Sequence, residues 1–312
     1  MKFPELVSSL AVCLQLSRTS FGFIPNIGSR STIRIIQATA EDTNDLSIVS
    51  NRLTVGLQKM DRIMSPGFFD DCDNSLKQLN SQIVKSVQVS QSPIHGAGKG
   101  LFATKNIKAG SIVGFYPAHT LGLEIGGTEL FVANQMSDKA YFEENPPGGS
   151  SYLHATDQPI FNRPSLLAEL GPDLKDSPLY LDVNPTREIS PAWVSQYIND
   201  GAIMLDNSEA GVSEYYSASK AKKNCVHIPF GPSPIMATVA TKKIKKGEEL
   251  LTSYGCVYWV GVLFDSQEGA AMTGQIQEQI KESAQDLFAA MNSVSTRYKN
   301  HMDALQAVFD EL

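Results

Sequence analysis

Between Asp45 and Lys85 apolar positions recur every three to five residues: Ile48, Leu53, Leu57, Met60 and Met64, then, past "SPGFF" (Ser65–Phe69), Leu76, Leu79 and Ile83. That period predicts amphipathic helices, broken where Pro66 and Gly67 fall together. Near Val87 the period drops to two, and a turn at Ser92-Pro93 follows. Short β-type segments come next: "GLFAT", "SIVGFY", "LFVAN", "SYLHA", "PLYLDV", "CVHIPF" and "IMATVAT", separated by Gly, Pro and Asn turns. Such spacing predicts a mostly β domain of small sheets, with a loop-rich stretch over Glu143–Lys175 that would not suit a βαβ series. From Ser266 the helical period returns, with Ile280, Ala284, Leu287, Met291, Val294, Tyr298, Leu305 and Val308 on one stripe and His301 as its polar exception. A stripe of this kind packs on its own domain more often than it pairs in a coiled coil, though a homodimer through it is a second expectation.

Composition narrows the function classes. A chain of 312 residues with 42% apolar content can bury one sizeable core. A net charge of -7 weighs against broad nucleic-acid or anionic-membrane binding and favours basic partners. Cys13, Cys72, Cys225 and Cys256 lie far apart, with no CxxC pair and no ligand spacing toward the histidines, so neither a metal site nor a disulfide framework is expected. No apolar run reaches the length of a membrane span.

The N-terminal forty residues differ from the rest. "LVSSLAVCLQL" (Leu6–Leu16) has signal-peptide length, and the segment from Ser17 to Ala40 carries Arg18, Arg30 and Arg34, many Ser and Thr, and no acidic residue. The two-part order, with "SFGFIP" at its junction, resembles the bipartite plastid presequences of algae whose plastids lie inside the secretory pathway. Secretion or an endomembrane location is the alternative. The chain thus divides into a targeting-like segment (1–40), a helical extension (41–86), a mostly β domain (87–260) and an amphipathic helical segment (261–312).

A glycine-rich loop, "SPIHGAGKGLFATKNIKAG" (Ser92–Gly110), raises the first chemical question. A phosphate loop fails at both ends, since Pro93 stands where the first glycine belongs and Lys99 is followed by Gly100. A dinucleotide fingerprint fails because the third glycine comes one residue early and a strand follows instead of a helix. What remains is a turn whose backbone can approach a ligand closely, because glycines have no side chain to block it.

Four segments in order then carry a resemblance. "GAGKGLFATKNIKAGSIVGFYP" (Gly96–Pro117) opens it and "TVATKKIKKGEELLTSYGCVYW" (Thr238–Trp259) closes it. Between them lie "YLDVNPTREISPAWVSQYINDGA" (Tyr180–Ala202) and "KKNCVHI" (Lys222–Ile228). Over Val87–Trp259 the chain resembles the SET-domain protein lysine methyltransferases. The resemblance implies an α+β, mostly β fold of small curved sheets, with helical N- and C-terminal extensions here. In that fold the segments around Asn199 and Tyr254 thread together like a knot. It also implies S-adenosylmethionine as methyl donor and an accessible lysine of a protein as acceptor, the two entering from opposite faces. Tyr254 would be the catalytic tyrosine beside the methyl group and Tyr116 would line the lysine channel. Gly98, Lys99 and Gly100 would bind the donor through backbone groups, Asn199 would hydrogen-bond its amino-acid part, and Trp259 would cover its adenine.

Methyl transfer from a sulfonium to an amine calls for a neutral amine held in line, with no metal and no covalent intermediate. Free lysine has a pKa of about 10.4, so the site must strip a proton and desolvate the nitrogen; aromatic walls and a tyrosine hydroxyl suit that task. Two departures from the family stand out. Asn199-Asp200 replaces Asn-His, putting a carboxylate at the donor site, and neither the cysteine cluster of histone-modifying members nor a large helical substrate domain follows Trp259. A catalytically inactive SET-fold protein, acting as a protein-binding module with its C-terminal helix as interaction element, is therefore the second expectation. Glu248 and Glu249 read as part of the turn, and Cys225 as packed.

Overall fold

The computed structural model describes residues 34–37, 45–125, 128–145, 153–156, 178–256, 258–259 and 274–312. The N-terminal helical pattern becomes α1 (Asp45–Met64), the short α2 (Phe68–Asp71) and α3 (Asn74–Val84). The break falls where the sequence puts it: Gly67 adopts a left-handed φ of 83°, which L side chains rarely adopt. Asp73 then caps α3, its side chain accepting from the Leu76 amide at 2.9 Å. Leu53, Leu57, Met60, Met64, Leu76, Leu79 and Ile83 are buried, whereas Ile48, counted on the same stripe, is exposed.

Twelve strands follow from the described residues. A five-stranded sheet has the order β1-β6-β5-β8-β7, from β1 (Arg34–Gln37), β5 (Thr120–Ile125), β6 (Thr128–Ala133), β7 (Leu153–Thr156) and β8 (Pro178–Asp182). A three-stranded sheet sets β11 (Met236–Ala240) between β10 (Cys225–Pro229) and β4 (Ile112–Tyr116), antiparallel to both. Two pairs complete the set: β2 (Val87–Gln91) with β3 (Lys99–Ala103), and β9 (Asn199–Asp200) with β12 (Leu251–Thr252). All seven segments read as strands in the sequence contain one. The expected α+β architecture of small sheets is thus the observed one. Most of the loop-rich stretch over Glu143–Lys175 lies outside the described residues.

Two helices have no counterpart in the sequence reading. One is α4 (Met136–Glu144); the other, α5 (Glu209–Lys222), starts at Ser208, whose hydroxyl accepts from the Gly211 amide at 3.2 Å. It buries Val212, Tyr215, Tyr216 and Ser219. The C-terminal stripe forms two helices, α6 (Gly274–Arg297) and α7 (Lys299–Glu311), separated at Tyr298.

One apolar core joins both ends of the chain to the sheets. Met291, Val294, Tyr298, Met302, Leu305 and Phe309 from the C-terminal helices share it with α1, α3, β4, β10 and β11. At its centre Trp193 lies 5.1 Å from Phe115, ring to ring, and Phe230 lies 5.6 Å from Phe115. Each fully buried large apolar side chain contributes about 1.5–3 kcal/mol. Two smaller clusters matter for the site. One, with Leu101, Ile198, Cys225, Ile244 and Leu250, underlies β3 and β12; the other, with Met204, Val212, Tyr215, Tyr216 and Cys256, underlies α5. Away from both, Arg187 spans Asp61 of α1 and Asp138 of α4 at 2.5 Å each, fastening the helical extension to the sheets.

Candidate active site

The site is built where β9 and β12 run parallel, with Asn199 opposite Leu251 and Asp200 opposite Thr252. The strands are only two residues each, and Asn224 pins their crossing. Its Oδ1 accepts from the Leu251 amide at 2.8 Å, and its Nδ2 donates to the Glu249 carbonyl at 2.9 Å. The Gly201 amide extends the ladder to the Thr252 carbonyl at 3.0 Å. Successive strand residues face opposite sides, so Asn199 and Asp200 serve different partners.

On one side lies the glycine loop. The Ser92 amide closes it by donating to the Gly98 carbonyl at 2.8 Å. Gly96 and Gly98 have φ values of 79° and 67°, and a Cβ at either would meet nothing within 4 Å, so open space adjoins the backbone there. At Gly100 the opposite holds: a Cβ would overlap Glu249 Oε1 and lie 2.9 Å from its Cδ. Asn199 Nδ2 donates to the Lys99 carbonyl at 3.1 Å and to Glu249 Oε1 at 2.9 Å. Ser92 Oγ donates to Glu249 Oε2 at 3.1 Å. Lys99 contributes its backbone here, while its ammonium sits 5.9 Å over the Tyr197 ring.

On the other side lies Asp200, 5% exposed. Its Oδ1 accepts from the Ala202 amide at 3.0 Å. Its Oδ2 accepts from Tyr215 Oη at 2.6 Å, the Tyr254 amide at 2.9 Å and Trp259 Nε1 at 3.0 Å. Tyr215 Oη in turn accepts from the Gly255 amide at 2.9 Å and lies 3.0 Å from Ser253 Oγ. Burial raises the Asp200 carboxyl above its ordinary 3.8, and the hydrogen bonds from Tyr215, Tyr254 and Trp259 counter only part of that.

Tyr254 donates from Oη to the Ile198 carbonyl at 3.0 Å. Burial holds its phenol well above the ordinary value, with nearby Tyr258 adding to the effect, so it stays protonated. Its ring meets Tyr258 edge-on at 4.8 Å and stacks with Trp259 at 6.4 Å. Tyr116 is buried, and its own phenol is raised by burial, with Asp182, Tyr254 and Tyr258 contributing. Its ring meets His227 edge-on at 5.6 Å. Thr238 Oγ1 donates to Ser195 Oγ at 2.7 Å and so accepts from His227 Nδ1 at 2.8 Å. Burial depresses His227 to about 4, so its imidazole is neutral beside Tyr116.

The structure therefore gathers Gly98, Lys99, Gly100 and Asn199 on one side of the crossing and Tyr254, Trp259 and the Asp200 carboxylate on the other. Tyr116 lies with the tyrosine cluster. Sequence reasoning passed over Glu249, set aside as a turn residue, although it stands in the same "GEEL" that carried the closing motif. It also passed over Tyr215, because α5 has no clean apolar period, and over His227, which offered no partner in sequence. Among the described residues no three His, Cys, Asp or Glu side chains group to hold a metal ion.

Comparison with known proteins bears on this geometry. The model of the SET domain matches residues 98–255, half of the chain, and the chain belongs to the SET-domain family. Solved structures also match, among them ctPRC2 in an autoinhibited conformation bound to S-adenosylmethionine, at 18% identity with a TM-score of 0.30. That match covers 64% of this chain and 17% of the other, a small fraction of that protein's length. A comparison with curated proteins finds no match.

Proposed function

We propose that this chain is an S-adenosylmethionine-dependent protein-lysine methyltransferase. The observation that carries the proposal is the β9–β12 crossing, which sets Asn199 against the glycine loop and Tyr254 against the tyrosine cluster within one small site. The donor fits the cradle. Open space adjoins Gly96 and Gly98, and acceptor atoms of Lys99, Asn199 and Glu249 suit its cationic amino-acid end. When bound, it supplies a methyl group activated by its sulfonium charge.

The chain's own residues do the rest. Tyr116, Tyr254 and Tyr258 give the substrate lysine an aromatic lining that shields its stem and lowers the cost of shedding water. Because Tyr254 spends its proton on the Ile198 carbonyl, its oxygen lone pairs are left to align the amine. A protonated phenol of raised pKa is no base, so the lysine proton leaves to water before transfer. Neutral His227 adds no positive charge beside Tyr116 that would compete with the incoming ammonium. Asp200 acts as a positioning residue: it fixes the Tyr254 backbone and the Trp259 ring through hydrogen bonds, and its carboxylate is taken up there. This favours the catalytic reading over the module in which Asp200 has spoiled the donor site.

Calorimetric titration of the full chain with S-adenosylmethionine tests the reading, with micromolar binding expected. A chain that binds no donor would sink it.

The substrate is a protein with an accessible lysine in basic surroundings, in keeping with the net charge of -7. The compartment we favour is the plastid, with an algal-type presequence that ends before Arg34, since Arg34–Gln37 pairs in parallel with β6. A fluorescent reporter fused behind residues 1–33 and expressed in an alga with a complex plastid tests this. Secretory accumulation would overturn it.

A further inference from the structure

Two turns of closely similar sequence, "TKNIKAG" (Thr104–Gly110) and "TKKIKKG" (Thr241–Gly247), are distant in the chain and meet in the fold. Their isoleucines exchange both backbone hydrogen bonds, the Ile107 amide donating to the Ile244 carbonyl at 2.8 Å and the Ile244 amide to the Ile107 carbonyl at 3.0 Å. Both isoleucine side chains are buried in the cluster under β3 and β12. Residues next to an inward-facing position in extended backbone face outward, so the antiparallel bridge sets Lys108 across from Lys243 on the outer side. On the other flank the Lys246 amide donates to Asn106 Oδ1 at 3.0 Å. Lys105, Lys108, Lys242, Lys243, Lys245 and Lys246 are all exposed there.

The arrangement works against the fold, because like charges set across an antiparallel pair repel. Among the described residues none of the six ammonium groups pairs with a carboxylate. Glu248, the acid that follows the second turn, gives its carboxylate to the Lys245 amide at 2.7 Å. Of the six, Lys242 alone donates to the chain from its ammonium, at the Ala221 carbonyl at 3.1 Å. A concentrated positive edge thus stands on a chain whose net charge is -7.

The chemistry of this edge selects among anionic partners. The two turns carry neither an arginine fork nor an aromatic face, the parts that grip and stack nucleic-acid bases. They offer no apolar wedge to a bilayer, since both isoleucines face inward. A long duplex or an anionic membrane also continues past the lysines, where the rest of this acidic chain repels it. A short acidic segment meets the lysines alone, within the screening length of about 8–10 Å.

We propose that the paired turns are a docking surface for a short Asp- or Glu-rich segment of a partner protein. The surface lies beyond Ala103 at one end of β3, and the glycine loop lies before Lys99 at the other. The two are separate places in the fold, and the docking surface stands whether or not the chain binds a methyl donor.

Fluorescence anisotropy on the full chain tests this with a labelled octaglutamate peptide, the matching octaglutamine peptide and a short DNA duplex. Co-sedimentation with vesicles of equal parts phosphatidylcholine and phosphatidylserine covers the membrane. Octaglutamate is expected to bind most tightly of the four and to weaken as salt rises. Lys108→Gln with Lys243→Gln should weaken it about tenfold, whereas the equal charge change Lys77→Gln with Lys299→Gln, on α3 and α7, should alter it less than about twofold. Lys243→Glu sets opposite charges across the bridge, so it should abolish binding and shift the urea midpoint upward. Equal weakening by the two double variants, or equal binding of octaglutamine, overturns the docking surface. Tighter binding of the duplex or the vesicles overturns the choice of a protein partner.

Discussion

Two carboxylates meet the β9–β12 crossing from opposite sides, and the chain surrounds them differently. Asp200 is almost wholly buried and receives four donors, two from backbone amides and two from aromatic side chains. Glu249 is half-buried and receives two. A buried charge is tolerable only when its lone pairs are taken up by hydrogen bonds, and then it serves the architecture. A carboxylate left short of donors at the mouth of a cradle has capacity for a ligand. Saturation by the chain's own groups therefore separates the two: Asp200 is committed to the architecture, and Glu249 keeps acceptor capacity.

The contrast can be broken experimentally, starting from the saturated side. Asp200→Ala strands four donors and should cost about 3–5 kcal/mol in guanidinium unfolding; a loss below about 1 kcal/mol would remove Asp200 from the architecture. Next comes Tyr254→Phe, which deletes the aligning hydroxyl. Turnover should fall about a hundredfold while donor affinity stays within about twofold, as single-turnover kinetics and calorimetry would show. Gly100→Ala pushes a methyl group into the Glu249 carboxylate, so donor affinity should drop about tenfold or more with little change in stability. Trp259→Phe takes one donor from Asp200 and should cost about 1 kcal/mol.

The smallest effect is a pH dependence. The folded-state pKa of Asp200 is raised, so ionisation favours the unfolded chain. Its stability contribution is fullest below 3.8 and declines as pH climbs from 3.8 through the raised folded value. The stability advantage of the natural protein over Asp200→Asn should accordingly shrink across that window, as paired urea titrations would detect. An advantage that grows with pH would reverse the sign argued for burial.

Much of this was legible from residue patterns, for identifiable reasons. The period over Leu53–Ile83 and the Pro66-Gly67 break are local properties, as are the β-branched runs that became β4, β10 and β11. The glycine loop and Tyr254 were legible because short motifs at both ends of the domain agreed with one another. The helix α5 was not. Its buried face, Val212, Tyr215, Tyr216 and Ser219, mixes small and polar-tipped residues, and no apolar stripe marks it. The partners of Asp200 were not legible, because a sequence does not show which side of a two-residue strand a side chain takes or that Tyr215 lies within reach of it. Glu249 was hidden for a related reason: its partners, Ser92 and Asn199, lie far away along the chain and meet it only through β2, β3 and β9.

The break at Tyr298 has a consequence for how this protein can be divided. At the bend, Tyr298 Oη accepts from the Ile112 amide at 3.4 Å, and beyond it the Phe309 carbonyl takes a hydrogen bond from Lys59 of α1 at 2.7 Å. The C-terminal pair of helices thus grips β4, the strand that ends in Tyr116, and the N-terminal extension at once. Modularity stops there: the segment that carries the family's signature is not a transplantable part. Expressed as residues 98–255 alone, it would lose Phe69 from the face of Phe115 and Tyr298 from Phe230, and should aggregate rather than fold.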